Sequence, residues 1–259
     1  AAAPTVHQRC AYAPVAGQSG RAHITVTATA AGPDGTFGTA DDLSVSTSFL
    51  IVVTDVPTLD PITPNTVTVN QDSTTHTVHL TGVSDAKGGM NVHVRAASDN
   101  TAIVPNPSGE LFTNGAANLY FAPAAGKSGT VNVTVTVRDA GPDGTFDNSD
   151  DLTTSQVFTI VVNAKPTLDA IGSLPTIGVG SGTQTLELSG ISAGVGETQE
   201  LRLTATSDNT DLIPNPDVIY TSPAATGAIT YTPVAGQSGT ANLTVTVTDP
   251  GPDGTFDTD

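Results

Sequence analysis

The chain has 259 residues, 25 acidic groups against 8 basic ones and a net charge of −17, with only 13% of positions charged. This balance argues against nucleic acid as a partner, because a phosphate backbone requires a lysine or arginine stripe. No apolar run approaches the roughly 20 residues that cross a bilayer as a helix, so membrane insertion is not expected.

In chain order, the first landmark is the phrase P-x-A-G-x-S-G at Pro14, which returns at Pro123 and Pro233. Cys10, just before it, is the single cysteine. It aligns with Leu119 and Ile229 and is expected to be a small apolar core residue. GPDGTFGTADD follows from Gly32, GPDGTFDNSDD from Gly141 and GPDGTFDTD from Gly251, at steps of 109 and 110 residues. PTLD at Pro57 and Pro166 and SDNT at Ser98 and Ser207 keep the same step. A period this long predicts an array of small domains rather than a solenoid. With PTLD as the start of a unit, residues 57–165 are one complete copy. Residues 1–56 are then the C-terminal half of another copy, and residues 166–259 a third that lacks its last strand.

Strands are predicted by two-residue alternation. In 131–139, Val131, Val133, Val135 and Val137 point one way and Asn132, Thr134 and Thr136 the other. Residues 75–83, 90–96, 118–123 and 155–162 alternate similarly, with Gly, Pro, Asn and Asp clusters between them. About seven short strands per unit and no capped helical stripe predict an all-β chain of tandem Greek-key β-sandwiches, immunoglobulin-like or cadherin-like.

The stretch from PTLDAIGSLPTIG at Pro166 to LTVTVTD at Asp249 resembles the tandem cadherin-like, immunoglobulin-type repeats of large bacterial surface and secreted proteins. The resemblance covers the whole chain. It implies an extracellular or cell-surface array used in adhesion, as a stalk or as an envelope component, often with calcium. Relatives often join units through an NDAPT-like linker whose Asn and Asp help bind an interdomain ion. Here the junctions read TDVPT and NAKPT, and Lys165 stands where an anion would help, which argues against interdomain calcium at that point.

The recurring loop is dense in aspartate. Asp139, Asp143, Asp147, Asp150 and Asp151 cluster in the middle copy. Two carboxylates about 6 Å apart repel by roughly 0.7 kcal/mol even in water, and Ca2+ with its six to eight oxygen ligands would relieve that repulsion. In this reading Gly144 permits the sharp turn and Phe146 folds inward as an anchor. The first copy offers Asp34, Asp41 and Asp42, with Ala30 and Gly38 at two of the acidic positions; the third offers Asp249, Asp253, Asp257 and Asp259. The alternative is a solvated turn in which Asp and Gly serve only the backbone.

No catalytic constellation emerges, so an enzyme is not expected. His76 and His79 lie on opposite faces of a strand and align with Thr185 and Leu188, while His93 aligns with Arg202. No G-x-S-x-G or H-E-x-x-H motif occurs. A carbohydrate-binding sandwich is the alternative function, but the chain has no Trp for a stacking platform. Tyr12, Tyr120 and Tyr231, like Phe37, Phe146 and Phe256, instead read as repeated core packing. The sequons at Asn132 and Asn242 fall inside strands. The expected function is a structural or adhesive rod, stalk or fibre. Its partners are neighbouring repeats, with head-to-tail exchange of the 43–53 strand between chains as an alternative to completion by neighbouring sequence.

Overall fold

The computed structural model describes residues 10–16, 18–85, 91–111, 115–251 and 254–256. They form 14 strands and no helix. The first two, β1 (Gly20–Ala30) and β2 (Leu43–Val53), make an antiparallel hairpin in register from Gly20↔Val53 to Ala30↔Leu43. Among the described residues no second sheet covers this hairpin. Val26, Leu43, Val45, Phe49 and Leu50 are therefore exposed, and Cys10 is exposed too, contrary to the core role expected of it. Its counterparts Leu119 and Ile229 are fully buried because each has a facing sheet.

Residues 57–165 form the complete sandwich. Its strands are β3 (Thr66–Asn70), β4 (His76–Leu80), β5 (Val92–Ser98), β6 (Ser108–Leu111), β7 (Ala117–Phe121), β8 (Gly129–Asp139) and β9 (Thr153–Asn163). One sheet runs β3-β9-β8-β5 and the other β4-β7-β6. The chain crosses between sheets four times, from β3 to β4, β4 to β5, β5 to β6 and β7 to β8, the immunoglobulin-like Greek-key arrangement. All pairs are antiparallel except β3 with β9. The alternation in β8 is realised as expected: Val131, Val133, Val135 and Val137 are fully buried against Phe158, Ile160, Val162, Leu80 and Leu119. β6 carries too little pattern to stand out in the sequence, whereas β3, TVTVN, alternates over only five residues.

The third unit contains β10 (Gln184–Leu188), β11 (Arg202–Ser207), β12 (Asp217–Ile219), β13 (Gly227–Tyr231) and β14 (Leu243–Thr248). They form the sheets β10-β13-β12 and β11-β14. Among the described residues, two strands of the middle unit have no counterpart here. β3 bonds only to β9, so without a β9-type strand the corresponding stretch, residues 174–179, has no ladder to join; Leu174 and Val179 are exposed. The strand pairing also corrects two alignments. Leu80 pairs with Ala117 as Leu188 does with Gly227, so His76 corresponds to Gln184 and His79 to Glu187. By the same reckoning the equivalents are Tyr12, Phe121 and Tyr231, and Tyr120 points to the opposite face.

The recurring phrases now have structural roles. In PTLD, Thr58 Oγ1 donates to the Gly82 carbonyl at 2.6 Å and Asp60 accepts the Thr81 hydroxyl at 2.9 Å. Thr167 to Gly190 and Ser189 to Asp169 repeat this at 2.9 and 2.8 Å. Glycine is required at 82 and 190, because both have left-handed φ and a Cβ there would lie 2.3 Å from the aspartate carboxyl. In SDNT, Asp99 receives both the backbone and side-chain nitrogens of Asn132, at 2.9 and 3.0 Å, and Asp208 receives those of Asn242, both at 2.7 Å. The Asn132 and Asn242 side chains of the two sequons are thus occupied in holding the start of a core strand.

Candidate functional site

The aspartate loop is built chiefly of carboxylates that accept its own backbone N–H groups. Asp143 accepts from Thr145 N at 2.7 Å and from Asn148 Nδ2 at 2.8 Å. Asp151 accepts from Asp147 N at 2.7 Å, and buried Asp139 accepts from Gly141 N at 3.1 Å and Leu152 N at 2.8 Å. Asp150 folds over Gly141, where a Cβ would lie 2.7 Å from its carboxylate oxygen. The first copy repeats the plan: Thr36 N donates to Asp34 at 2.8 Å and Gly38 N to Asp42 at 2.7 Å. Asp41 accepts the Thr39 hydroxyl at 2.7 Å, and that bond holds its carboxyl below the ordinary range. In the third copy Gly251 N donates to Asp249 at 2.9 Å, while Asp253, Asp257 and Asp259 lie outside the described residues.

The middle loop departs from the sequence expectation in two ways. Phe146 does not enter the core. It stacks on the His93 ring of β5 at 3.6 Å between centroids and 9° between planes, and Arg202 covers Phe256 at 5.3 Å in the third unit. His93 and Arg202 are equivalent positions, so the loop phenylalanine pins the loop to the outer face of the neighbouring strand. Phe37, which has no such strand beside it among the described residues, is exposed. The second departure is that Asp147 turns to basic partners: Arg138 Nη1 donates to it at 2.7 Å and Arg95 Nη2 lies 3.6 Å away. Both arginines were missed from sequence, because they come from β5 and β8 rather than from the loop.

These contacts bear on calcium. Among the described residues, no three acidic or histidine side chains converge in a way that could hold a metal ion. Asp143 and Asp147 are committed to Asn148 and Arg138, and both carboxylate oxygens of Asp42 are taken by Gly32 N and Gly38 N. In the middle and first loops, as they stand, these carboxylates are turned to partners within the chain.

A second polar constellation lies where β9 passes into the third unit. β9 ends at Asn163, at the edge opposite the middle loop, whereas Asp249 follows β14 at the loop end of the third unit. Asn163 Nδ2 donates to Asp249 at 3.4 Å, so the tail of one unit meets the loop end of the next. Ala164 N donates to Glu197 at 2.5 Å, Gln199 Nε2 to Asn163 Oδ1 at 2.5 Å, and Lys165 N to Gln71 at 2.9 Å. Lys165 does not neutralise the junction carboxylates. Its ammonium pairs with Asp72 at 2.9 Å, whose carboxyl is held low by the Gly126 N–H and by that lysine.

Glu197 is pushed above the ordinary glutamate value, first by burial and then by the charge of Asp249, against the opposing Ala164 N–H. A carboxyl whose folded pKa is raised weakens the folded state as pH climbs from its unfolded pKa through the raised one. Glu197→Gln keeps an acceptor for Ala164 N and removes that penalty. Partial exposure keeps the gain small, about 1 kcal/mol or less. Melting of the variant should therefore exceed wild type at neutral pH and converge with it in acid; parallel pH profiles would show that Glu197 is not the titrating group.

No protein-family model matches the chain, and no curated protein matches it. Similar solved structures include an I-band fragment, I67–I69, from titin, at 14% identity and TM-score 0.41, covering 83% of this chain and 65% of that one. Domains 1–6 of the surface-layer protein SbsC match at 16% identity and TM-score 0.27, covering 88% and 26%. The human desmocollin-1 ectodomain matches at 10% identity and TM-score 0.29, covering 80% and 37%. The chain spans less than two thirds of each of these structures. The strand order described above makes this chain a tandem array of immunoglobulin-like and cadherin-like β-sandwiches.

Proposed function

We propose that the chain is a non-catalytic structural repeat of an extracellular or cell-surface protein, in which sandwiches follow one another end to end as a rod, stalk or fibre. The observation that carries this reading is the junction. Only Ala164, Lys165 and Pro166 separate the last strand residue of one unit from Thr167, whose bridge to Ser192 opens the next. Short polar contacts from both units close over those residues. A linker this short and this restrained fixes direction, unlike a flexible Gly/Ser tether. Strands of 11 residues set the unit length at about 36 Å, so each repeat extends the array rather than thickening it.

Calcium enters the proposal at the loop after β14. Asp249, which opens that loop, accepts from Asn163 Nδ2 and acts on the Glu197 carboxyl of the junction, and the arginine positions of the middle copy are Thr204 and Thr248 here. At millimolar calcium and a dissociation constant near 10⁻⁴ M, one such site would add roughly 1.4 kcal/mol. Small-angle scattering of the chain in calcium should give an elongated particle, and a chelator should broaden its bend distribution and lower its melting temperature. A compact, side-by-side arrangement of units would sink the rod. Scattering and melting curves that coincide with and without chelator would leave the rod standing and remove calcium from it.

A further inference from the structure

The middle loop differs from the first at positions far apart in the chain and adjacent in space. Asp147 replaces Gly38 and Arg138 replaces Thr29, while Arg95 stands on β5, which has no counterpart in residues 10–56. The third unit has Thr248 and Thr204 at the two arginine positions. Asp147 keeps the left-handed backbone of its glycine counterpart, φ 70° against 88°. An L-residue enters that region against a steric penalty, so a carboxylate placed there calls for a compensating contact. Two are present: Arg138 Nη1 at 2.7 Å and Arg95 Nη2 at 3.6 Å. Arg138 also lies 3.7 Å from Asp151, whose side chain is only 3% exposed and whose Oδ1 has no hydrogen-bond partner.

We infer that Arg138, supported by Arg95, is the resident cation of the middle loop, so that this repeat closes its acidic loop without a metal ion. A guanidinium suits the task because its planar fork can bridge two carboxylates and its charge persists at any physiological pH. Being covalently attached, it is not lost when divalent ions are scarce. Response to divalent cations is then set repeat by repeat, by residues on the sheet at positions 95 and 138 rather than by the GPDGTF phrase all copies share. This inference is independent of the spacer reading, since it concerns closure of one loop and not the arrangement of units.

Hydrogen–deuterium exchange of the full chain, followed on peptides covering 139–152, tests it in millimolar calcium and in chelator. The wild-type loop should exchange at the same rate in both. Arg95→Thr with Arg138→Thr should exchange roughly tenfold faster in chelator, as expected when charge-assisted contacts are lost, and calcium should slow it again. A wild-type loop that opens on chelation, a double variant that exchanges like wild type, or one indifferent to calcium would each overturn the inference. Arg138→Thr and Asp147→Gly, singly and together, give a second arm that retains Arg95. The combined variant should be faster than wild type by less than the product of the single effects, whereas independent effects would overturn the pairing.

Discussion

Phe158→Ala should destabilise the middle sandwich by about 3–5 kcal/mol, the range for truncating a large aromatic in a packed core. Phe158 is 1% exposed on β9 and packs in the cluster that includes the four inward valines of β8. Two controls within the same chain isolate the cause. Val157, its neighbour on the outer face, is 55% exposed, and Val157→Ala should change stability by less than about 0.5 kcal/mol. Phe49 is the counterpart of Phe158 on β2 yet is 45% exposed, so Phe49→Ala should cost about 1 kcal/mol or less by lost burial alone. Urea unfolding followed on the amide signals of β8 for Phe158→Ala and Val157→Ala, and of β1 for Phe49→Ala, measures all three. Equal effects for Phe158 and Phe49 would mean that the facing sheet β4-β7-β6 contributes little to the core.

What could be read from the sequence, and what could not, follows from the range of the interactions. Val131 to Val137 announce a half-buried strand because alternation is local, and the 109-residue step announces domains because identical loops need identical frames. Pairing register is not local. β3 joins β9 in parallel across some 90 residues of chain, so neither its partner in the middle unit nor the loss of its counterpart among the described residues of the third was legible. Arg95 and Arg138 meet Asp147 only because Arg95 pairs with Thr136 across β5 and β8, which places both guanidiniums on the outer face beneath the loop. In the bare sequence the loop contains no cation, and its charge therefore points to calcium. By adjacency Lys165 stands at the junction where an anion would help bind an ion, but its ammonium reaches back to Asp72 and leaves Glu197 and Asp249 without it. The Asn163–Asp249 contact, 86 residues apart in sequence, likewise depends on two units meeting tail to loop.

Asp139→Ala should be the most damaging change in the loop itself, at about 2–3 kcal/mol, because one carboxylate there closes the mouth where β8 and β9 diverge. Asp139 is 6% exposed, and its Oδ1 accepts both Gly141 N and Leu152 N, while its own N–H donates to the Leu152 carbonyl at 3.1 Å. Removing the side chain leaves two backbone donors short of an acceptor in a site that admits little water, and such bonds to a charged group are about twice as strong as neutral ones. Asp139→Asn retains an amide oxygen in the same place and should cost about 1 kcal/mol. Asp143→Ala should cost less than that, because its partners Thr145 N and Asn148 are exposed and water replaces the acceptor. The first copy shows how a loop does without this residue: Ala30 stands at the position, and Asp42 takes the Gly32 N–H at 3.3 Å instead. For a unit of this size, 2–3 kcal/mol corresponds to a fall in melting temperature of at least about 8 °C, which calorimetry of the full chain resolves as a shift of one transition. If Asp139→Ala and Asp143→Ala melt together, the strand ladder alone closes the loop, and the shared aspartate at 139 and 249 serves the junction instead.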